Sequence, residues 1–334
     1  MIKKISQQLN LQEAQVKNTL ELLEAGATIP FIARYRKERT NQLDEVQIKA
    51  IRDLNEQFTV LEKRKISILE SLKENDFLTN ELEQKIKQSD NLSELEDLYL
   101  PYKPKRRTRA TIAIEKGLEP LAKLLMAQNH SHIEEAATRF INAKKEVNTL
   151  DEALQGAMDI VAEWMNEHAT MRKRMRRLFE KEGQITSKVI EKKKEEAQKF
   201  EMYFDWAENI RSIPSHRLLA IFRGQNEGFL KVHIQPEQEK AIEILEHYFI
   251  KAHSTTADYL SKTIKDCYSR LLKPSLENEL AKTAKEKADI QAIEIFSTNL
   301  HQLLMGSPMR DKRVLAIDPG FRTGCKLVCL DESG

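Results

Sequence analysis

The stretch DEVQIKAIRDLNEQFTVLEKRKISILESLKEND, residues 44–76, decides the fold class. Within it Ile51, Leu54, Phe58, Leu61, Ile68 and Leu72 recur three and four apart, with Lys65 on the same line. That spacing is the period of one helix face and approaches a coiled-coil seam. A long helix is therefore expected from Asp44, broken at Asn75-Asp76.

Upstream, Asn10 followed by Glu13 predicts an N-cap and capping-box partner for a helix over 11–23, with Gly26 just past its end. Pro30 interrupts the stretch that follows. Downstream, a shorter helix is expected over 79–88. The segment SELEDLYLPYKPKRRTRATIA, residues 93–113, is a connection. Its prolines at 101 and 104 favour an extended path at Leu100 and Lys103. Helical pattern then resumes from Leu118 to Gly183.

QITSKVI (184–190) and GFLKVHI (228–234) carry the branched, alternating residues of a small β pair. The intervening EKKKEEAQKFEMYFDWAENI (191–210) reads as a charged helix, and SIPSHRLLAIFRG (212–224) as a helix ending at Gly224. A helical hairpin is expected next, from Thr255 to Leu272, with Pro274 as punctuation and Ser275 capping a helix to about Met305. VLAID at 314–318 and the run Gly324 to Leu330 read as two strands joined by a tight turn. The fold class is thus mainly α, with a small mid-chain β pair and a C-terminal β-hairpin. The divisions expected are a helical domain over 1–190, a helical region over 191–312 and a last segment over 313–334.

The 334 residues hold 54 Lys and Arg against 52 Asp and Glu, a formal net charge of +2, so any basic surface must be local. Charged residues make up 32% of the chain, with only 10 Gly and 9 Pro, which suits a helix-rich protein. The start lacks an apolar run of signal-peptide length, and no run approaches a membrane span. Three cysteines, Cys267, Cys325 and Cys329, cannot form a disulfide framework, which fits a reducing compartment. No His or second Cys pair completes a four-ligand set around Cys325 and Cys329.

Three basic clusters are candidates for phosphate contacts, because clustered cations gain affinity by releasing counterions. They are Arg34, Arg36, Lys37 and Arg39; then Lys103, Lys105, Arg106, Arg107 and Arg109; then Arg172 to Arg177, with Arg172 and Arg176 foremost. The second is the best placed, since Tyr99 and Tyr102 beside it could add stacking faces. In the third, successive cations wrap round a helix, so not all can face one ligand. The alternative for these clusters is ion pairing with acidic helices, for example through Glu94, Glu96 and Asp97. Phe31 and Tyr35 are candidates for docking a protein partner. Asp318 ends a strand where nucleases of the ribonuclease-H class place a metal-binding carboxylate, but only Asp331 and Glu332 follow it. Two-metal chemistry needs several gathered carboxylates, so no catalytic residue and no metal are assigned. Walker-type, GxGxxG, HExxH and GxSxG signatures are absent from the sequence.

Several stretches together resemble one family. ATIPFIARYRKERT (27–40), LEDLYLPYKPKRRTRATIAIEKGLEPLA (95–122), SHRLLAIFRGQNEGFL (215–230), YSRLLKPSLENEL (268–280) and VLAIDPGFRTGCKL (314–327) look like the Tex family of bacterial transcription accessory proteins. They span nearly the whole chain in the family's order. The resemblance implies a cytoplasmic, monomeric, non-enzymatic factor without a cofactor, acting in transcription or translation-linked RNA metabolism. It implies contact with RNA or DNA through the phosphate backbone; the alternative is a protein-interaction scaffold that docks RNA polymerase or the ribosome and makes no nucleic-acid contact of its own. It also implies a helical N-terminal part that leads, near residue 313, into a ribonuclease-H-like (YqgF-type) domain without nuclease activity, so that Asp318 is vestigial. Helix-hairpin-helix elements and an OB-fold RNA-binding domain would follow. One departure is local. The family reads Thr-Gly where this chain has Thr40-Asn41. Asn tolerates the left-handed conformation that Gly supplies, so the turn is expected to survive.

Overall fold

The computed structural model describes residues 1–104, 106–129, 132–251, 255–307, 312–320 and 324–334. The chain divides into two units. One comprises Met1–Leu178 with Glu237–Leu276, the other Phe179–Pro236 with Glu277–Gly334.

The first unit is helical. α1 (Ile2–Leu9) ends at Asn10, whose left-handed φ of 54° closes the helix. Asn10 is thus a C-terminal residue, not the expected N-cap, because a left-handed Asn terminates a helix more readily than it starts one. Gln12 instead forms the capping box of α2 (Glu13–Glu24) with Gln15. α3 (Ile29–Tyr35) accommodates Pro30 in its first turn, where no backbone donor is needed. A single turn, α4 (Lys37–Thr40), ends at Asn41 with φ 52° and ψ 56°, so the left-handed position is filled as expected.

The opening stretch forms α5 (Glu45–Glu74), with Asp44 accepting a hydrogen bond from the Gln47 amide. Asn75 ends it, as expected. Ile48 and Ile51 join the core under α1 to α3, and Leu61, Ile68 and Leu72 join a second core with α6 (Asn80–Gln88) and α7 (Leu92–Tyr99). Lys65 is buried on this seam. Its ammonium donates to Glu62 at 2.9 Å and to the Lys87 carbonyl at 3.1 Å.

After a 3-10 turn at Leu100–Tyr102 come α8 (Arg109–Glu115), α9 (Glu119–Ala127), α10 (Ile133–Thr138), α11 (Leu150–Asn166) and α12 (Ala169–Glu182). Ala153, Ala157, Ile160 and Val161 of α11 are fully buried, which makes it the central helix against α8 and α9.

The second unit contains a three-stranded antiparallel sheet in the order β2-β1-β3. β1 (Gln184–Val189) pairs with β3 (Leu230–Gln235), Val189 opposite Leu230, as the alternation predicts. The third strand was not expected. β2 (Asp205–Asn209) pairs with the other edge of β1, Ser187 opposite Trp206. The expected helix over 191–210 is therefore 3-10 turns followed by a strand. Strand pairing and burial of Phe200 outweigh the helix propensity of its Lys and Glu residues. α13 (Ser215–Asn226) covers the sheet through Leu218, Ile221 and Phe222.

α14 (Gln238–Phe249) and α15 (Thr255–Cys267) belong to the first unit. The expected break at Pro274 is absent. A π-turn at Tyr268–Leu272 leads directly into α16 (Lys273–Leu304). Proline removes one helical donor and crowds the preceding turn, and a widened turn relieves that crowding. β4 (Val314–Gly320) and β5 (Gly324–Leu330) form the C-terminal hairpin with Asp318 opposite Lys326. From Leu315 onward its described residues are exposed on both faces, and among the described residues no third strand pairs with it. No described helix is long and apolar enough to cross a membrane.

Candidate nucleic-acid interface

The basic segment between α7 and α8 is anchored at both ends. At its start Leu100 is helical, against the extended path expected there, because it continues the last turn of α7. Lys103 is extended, with φ −64° and ψ 131°, as its position before Pro104 requires. At its end the Thr108 hydroxyl caps α8 by accepting from the Thr111 amide at 3.1 Å, and it donates to Glu163 of α11 at 2.9 Å. Between these anchors Lys103, Arg106, Arg107 and Arg109 are all exposed, while Lys105 lies outside the described residues.

Few of these charges are spent on neighbours. Arg107 donates to Glu115 at 2.8 Å, with both side chains more than half exposed, a pair that solvent screens strongly. Arg109 stands near Asp159, whose carboxyl is raised by burial and held back by Arg270 and then Arg109. Among the described residues no carboxylate pairs with Lys103 or Arg106. The stacking faces expected here are not presented. Tyr99 is buried with its hydroxyl 3.0 Å from Ser71 Oγ, and half-buried Tyr102 packs on Phe77 at 5.7 Å. The segment offers charge without open rings for bases to stack on.

The cluster on α12 is different. Arg172 donates from Nε to Asp97 Oδ1 at 2.8 Å, and from its other nitrogens to Ser275 at 2.9 Å and Asn166 at 3.2 Å. Arg176 adds two bonds to the same Asp97 carboxylate at 2.9 and 3.0 Å. With side chains 6% and 14% exposed, Arg172 and Arg176 face the interior and do not form a phosphate-contacting surface. The acidic-helix alternative applies to them. Lys173 likewise pairs with Glu94 at 2.5 Å, and Arg174 covers the Tyr248 ring at 5.3 Å.

The first cluster surrounds α3. The Thr28 hydroxyl caps it from in front, and Ile32 and Ala33 take its buried face. Phe31 and Tyr35, four apart, are left outside at 40% and 64% exposure, their rings 5.5 Å apart and tilted by 42°. The Arg36 guanidinium lies 5.2 Å from the Phe31 centroid and donates to the Tyr35 carbonyl at 3.2 Å. Arg34 approaches Glu45 at 3.9 Å and Arg39 approaches Glu21 at 3.5 Å. Among the described residues no carboxylate pairs with Arg36 or Lys37. Gln15 Nε2 ties down the following turn by donating to the Thr40 and Asn41 carbonyls at 3.3 and 3.2 Å.

A further cationic group went unforeseen because 191–210 reads as a solvated helix. Lys199 lies 5.1 Å from the Phe200 centroid and 5.7 Å from Phe229, which Lys193 also approaches at 5.7 Å. Asp318 is exposed, with Lys326 at 4.0 Å across the hairpin, and among the described residues no group of three ligating side chains gathers.

Two family models match the chain. One described as Tex-like protein N-terminal domain covers residues 1–73, and one described as Tex central region-like covers residues 128–296. The chain is 44% identical over 333 residues to the uncharacterized protein YdcI of Bacillus subtilis (strain 168), covering 99% of this chain and 46% of that protein. It is 39% identical over 336 residues to the transcriptional accessory protein Tex of Neisseria gonorrhoeae, covering 99% of this chain and 44% of that one. S1 RNA-binding domain-containing protein 1 of Homo sapiens is 26% identical over 350 residues, which is 100% of this chain and 35% of the human protein. The chain thus spans less than half the length of these relatives. With its N-terminal and central regions both matched, the chain belongs to the Tex family.

Proposed function

We propose that this chain is the helical scaffold of a non-enzymatic transcription accessory factor that binds RNA or DNA through the phosphate backbone. The observation that carries this reading is the exposed run Lys103, Arg106, Arg107 and Arg109, held between the end of α7 and the Thr108 cap. Such a run recognises charge rather than sequence. The names of the Neisseria and human relatives, an accessory protein in transcription and a protein with an S1 RNA-binding domain, support it. On this reading the protein works in the cytoplasm as a monomer without cofactor. The hairpin β4–β5 opens a ribonuclease-H-like domain at about residue 313, and Asp318 does no catalysis there. Its exposed apolar side chains, Leu315, Ile317, Leu327 and Val328, support a continuation that buries them.

The test is fluorescence anisotropy of the chain with single-stranded RNA and duplex DNA over a salt series. Changing Lys103, Arg106, Arg107 and Arg109 together to Gln is expected to lower the log–log salt slope on single strands by about 3. An unchanged affinity and slope would overturn the assignment.

A second reading has one observation in its favour. The last turns of α16 expose Ile290, Ile293, Phe296, Leu303 and Leu304, an apolar surface suited to a protein partner. On that reading the chain docks RNA polymerase or the ribosome, with Phe31 and Tyr35 contributing. Complex formation that survives high salt, without nucleic acid, would favour it.

A further inference from the structure

We propose that Phe31, Tyr35 and Arg36 form a stacking site for an unpaired base, so that α3 and α4 grip single-stranded nucleic acid. Arg34, Lys37 and Arg39 would contact the flanking phosphates. The proposal extends the nucleic-acid reading to a second surface whose chemistry differs from that of the 103–109 segment.

Four features carry it. Both aromatic side chains stand outside a helix whose apolar needs are already met by Ile32 and Ala33, so they do not serve the core. The Arg36 guanidinium is held in place by the Phe31 ring and the Tyr35 carbonyl, giving a planar cation beside the rings before any ligand arrives. Residues 34–39 read Arg-Tyr-Arg-Lys-Glu-Arg, four cations to one carboxylate, Glu38. Of the four, Arg34 and Arg39 meet Glu45 and Glu21 only in exposed, screened contacts, which a phosphate can displace.

These features select the ligand. An apolar protein pocket would close over the rings but leave four cations to desolvate, which is costly. A duplex satisfies the charges but keeps its bases stacked on one another, out of reach of a protein ring. A single strand supplies a free π-face and phosphates on both sides of it, matching rings ringed by cations. The neighbouring turn is fixed by Gln15 and by left-handed Asn41, so little ordering is needed on binding.

The experiment measures binding of the whole chain to a short mixed-sequence RNA strand and to its duplex, across a salt series. Phe31→Ala with Tyr35→Ala is expected to weaken single-strand binding about 5- to 150-fold per stacked base, leaving the salt slope and duplex binding unchanged. Tyr35→Phe alone, which keeps the ring, should restore most of the single-strand affinity relative to Tyr35→Ala. Circular dichroism of each variant checks that the helices persist. An unchanged single-strand affinity overturns the proposal. So does an equal loss on strand and duplex, or a loss confined to binding of a protein partner. The two sites are separable. If neutralising 103–109 has no effect while the aromatic variants weaken binding, the earlier reading fails and this one stands. The converse pattern removes this one alone, and no binding by the unaltered chain removes both.

Discussion

Arg172 and Asp97, 75 residues apart in sequence, meet inside the first unit with Nε 2.8 Å from Oδ1. Asp97 also accepts two bonds from Arg176, so one buried carboxylate holds two guanidiniums and ties α7 to α12. Removing the carboxylate strands the Arg172 guanidinium, whose charge Ser275 and Asn166 cannot neutralise. Asp97→Asn is expected to cost about 3–5 kcal/mol, read as a lowered urea midpoint. Arg176→Met, which keeps the Arg172 bond and fills similar volume, is expected to cost much less. Equal costs for the two would mean that Asp97 does not act as the shared acceptor.

This pair marks the boundary of what the sequence makes legible. The cations at 172–177 are visible as a cluster, but whether they face a phosphate or a carboxylate depends on a contact to residue 97 that no local pattern encodes. By contrast the seam of α5 is local, and Asp44, Ile51, Ile68 and Asn75 hold the places its period assigns. Asn41 is legible for the same reason, since a left-handed turn follows from one residue's backbone preference. The strand at Asp205–Asn209 is not, because the Lys- and Glu-rich residues 191–201 ahead of it give the whole stretch a helical look that its pairing with β1 overrides. Pro274 misleads in the opposite sense, because the widened turn at Tyr268–Leu272 that accommodates it leaves no mark in sequence.

His168, just ahead of α12, gives the first unit a pH dependence. Its ring packs against Tyr248 at 5.2 Å and Phe249 at 5.8 Å, and burial lowers its pKa from the ordinary value of 6.5. The unfolded chain therefore binds this proton more readily than the folded one. The stabilisation is fully present above about pH 6.5 and is lost as pH falls toward the depressed folded value. His168→Gln, which cannot take up that proton, is expected to flatten the acid limb of stability against pH. Parallel acid limbs for the two proteins would show that His168 does not titrate between the states.

The cysteines should separate cleanly by reactivity. Cys267 is 1% exposed, and burial pushes its thiol up to about 12, so almost no thiolate exists at neutral pH. Cys325 and Cys329 are exposed on β5. A disulfide reagent at pH 8 is expected to modify these two in the native chain, with Cys267 reacting only after unfolding. Release of a third equivalent at the native rate would contradict the burial of Cys267.

Gly156 on α11 sets how closely α8 approaches, and α8 carries the basic segment at its N-terminus. A Cβ at 156 would collide with the end of the Leu118 side chain and stand 3.3 Å from Ala113 Cβ, so the two helices pack closely at this glycine and a larger residue requires Leu118 to shift. Leu118 is 1% exposed, so its side chain must move within the packed interior to admit the new methyl. Gly156→Ala should gain helix propensity worth up to about 1 kcal/mol and lose about 1–3 kcal/mol to overpacking, a net destabilisation. Leu118→Ala in the same chain would open room for the new methyl, so the double variant should lose less than the sum of the singles. Additive urea-midpoint shifts would show that residues 156 and 118 do not crowd each other, and that something else holds α8 against α11.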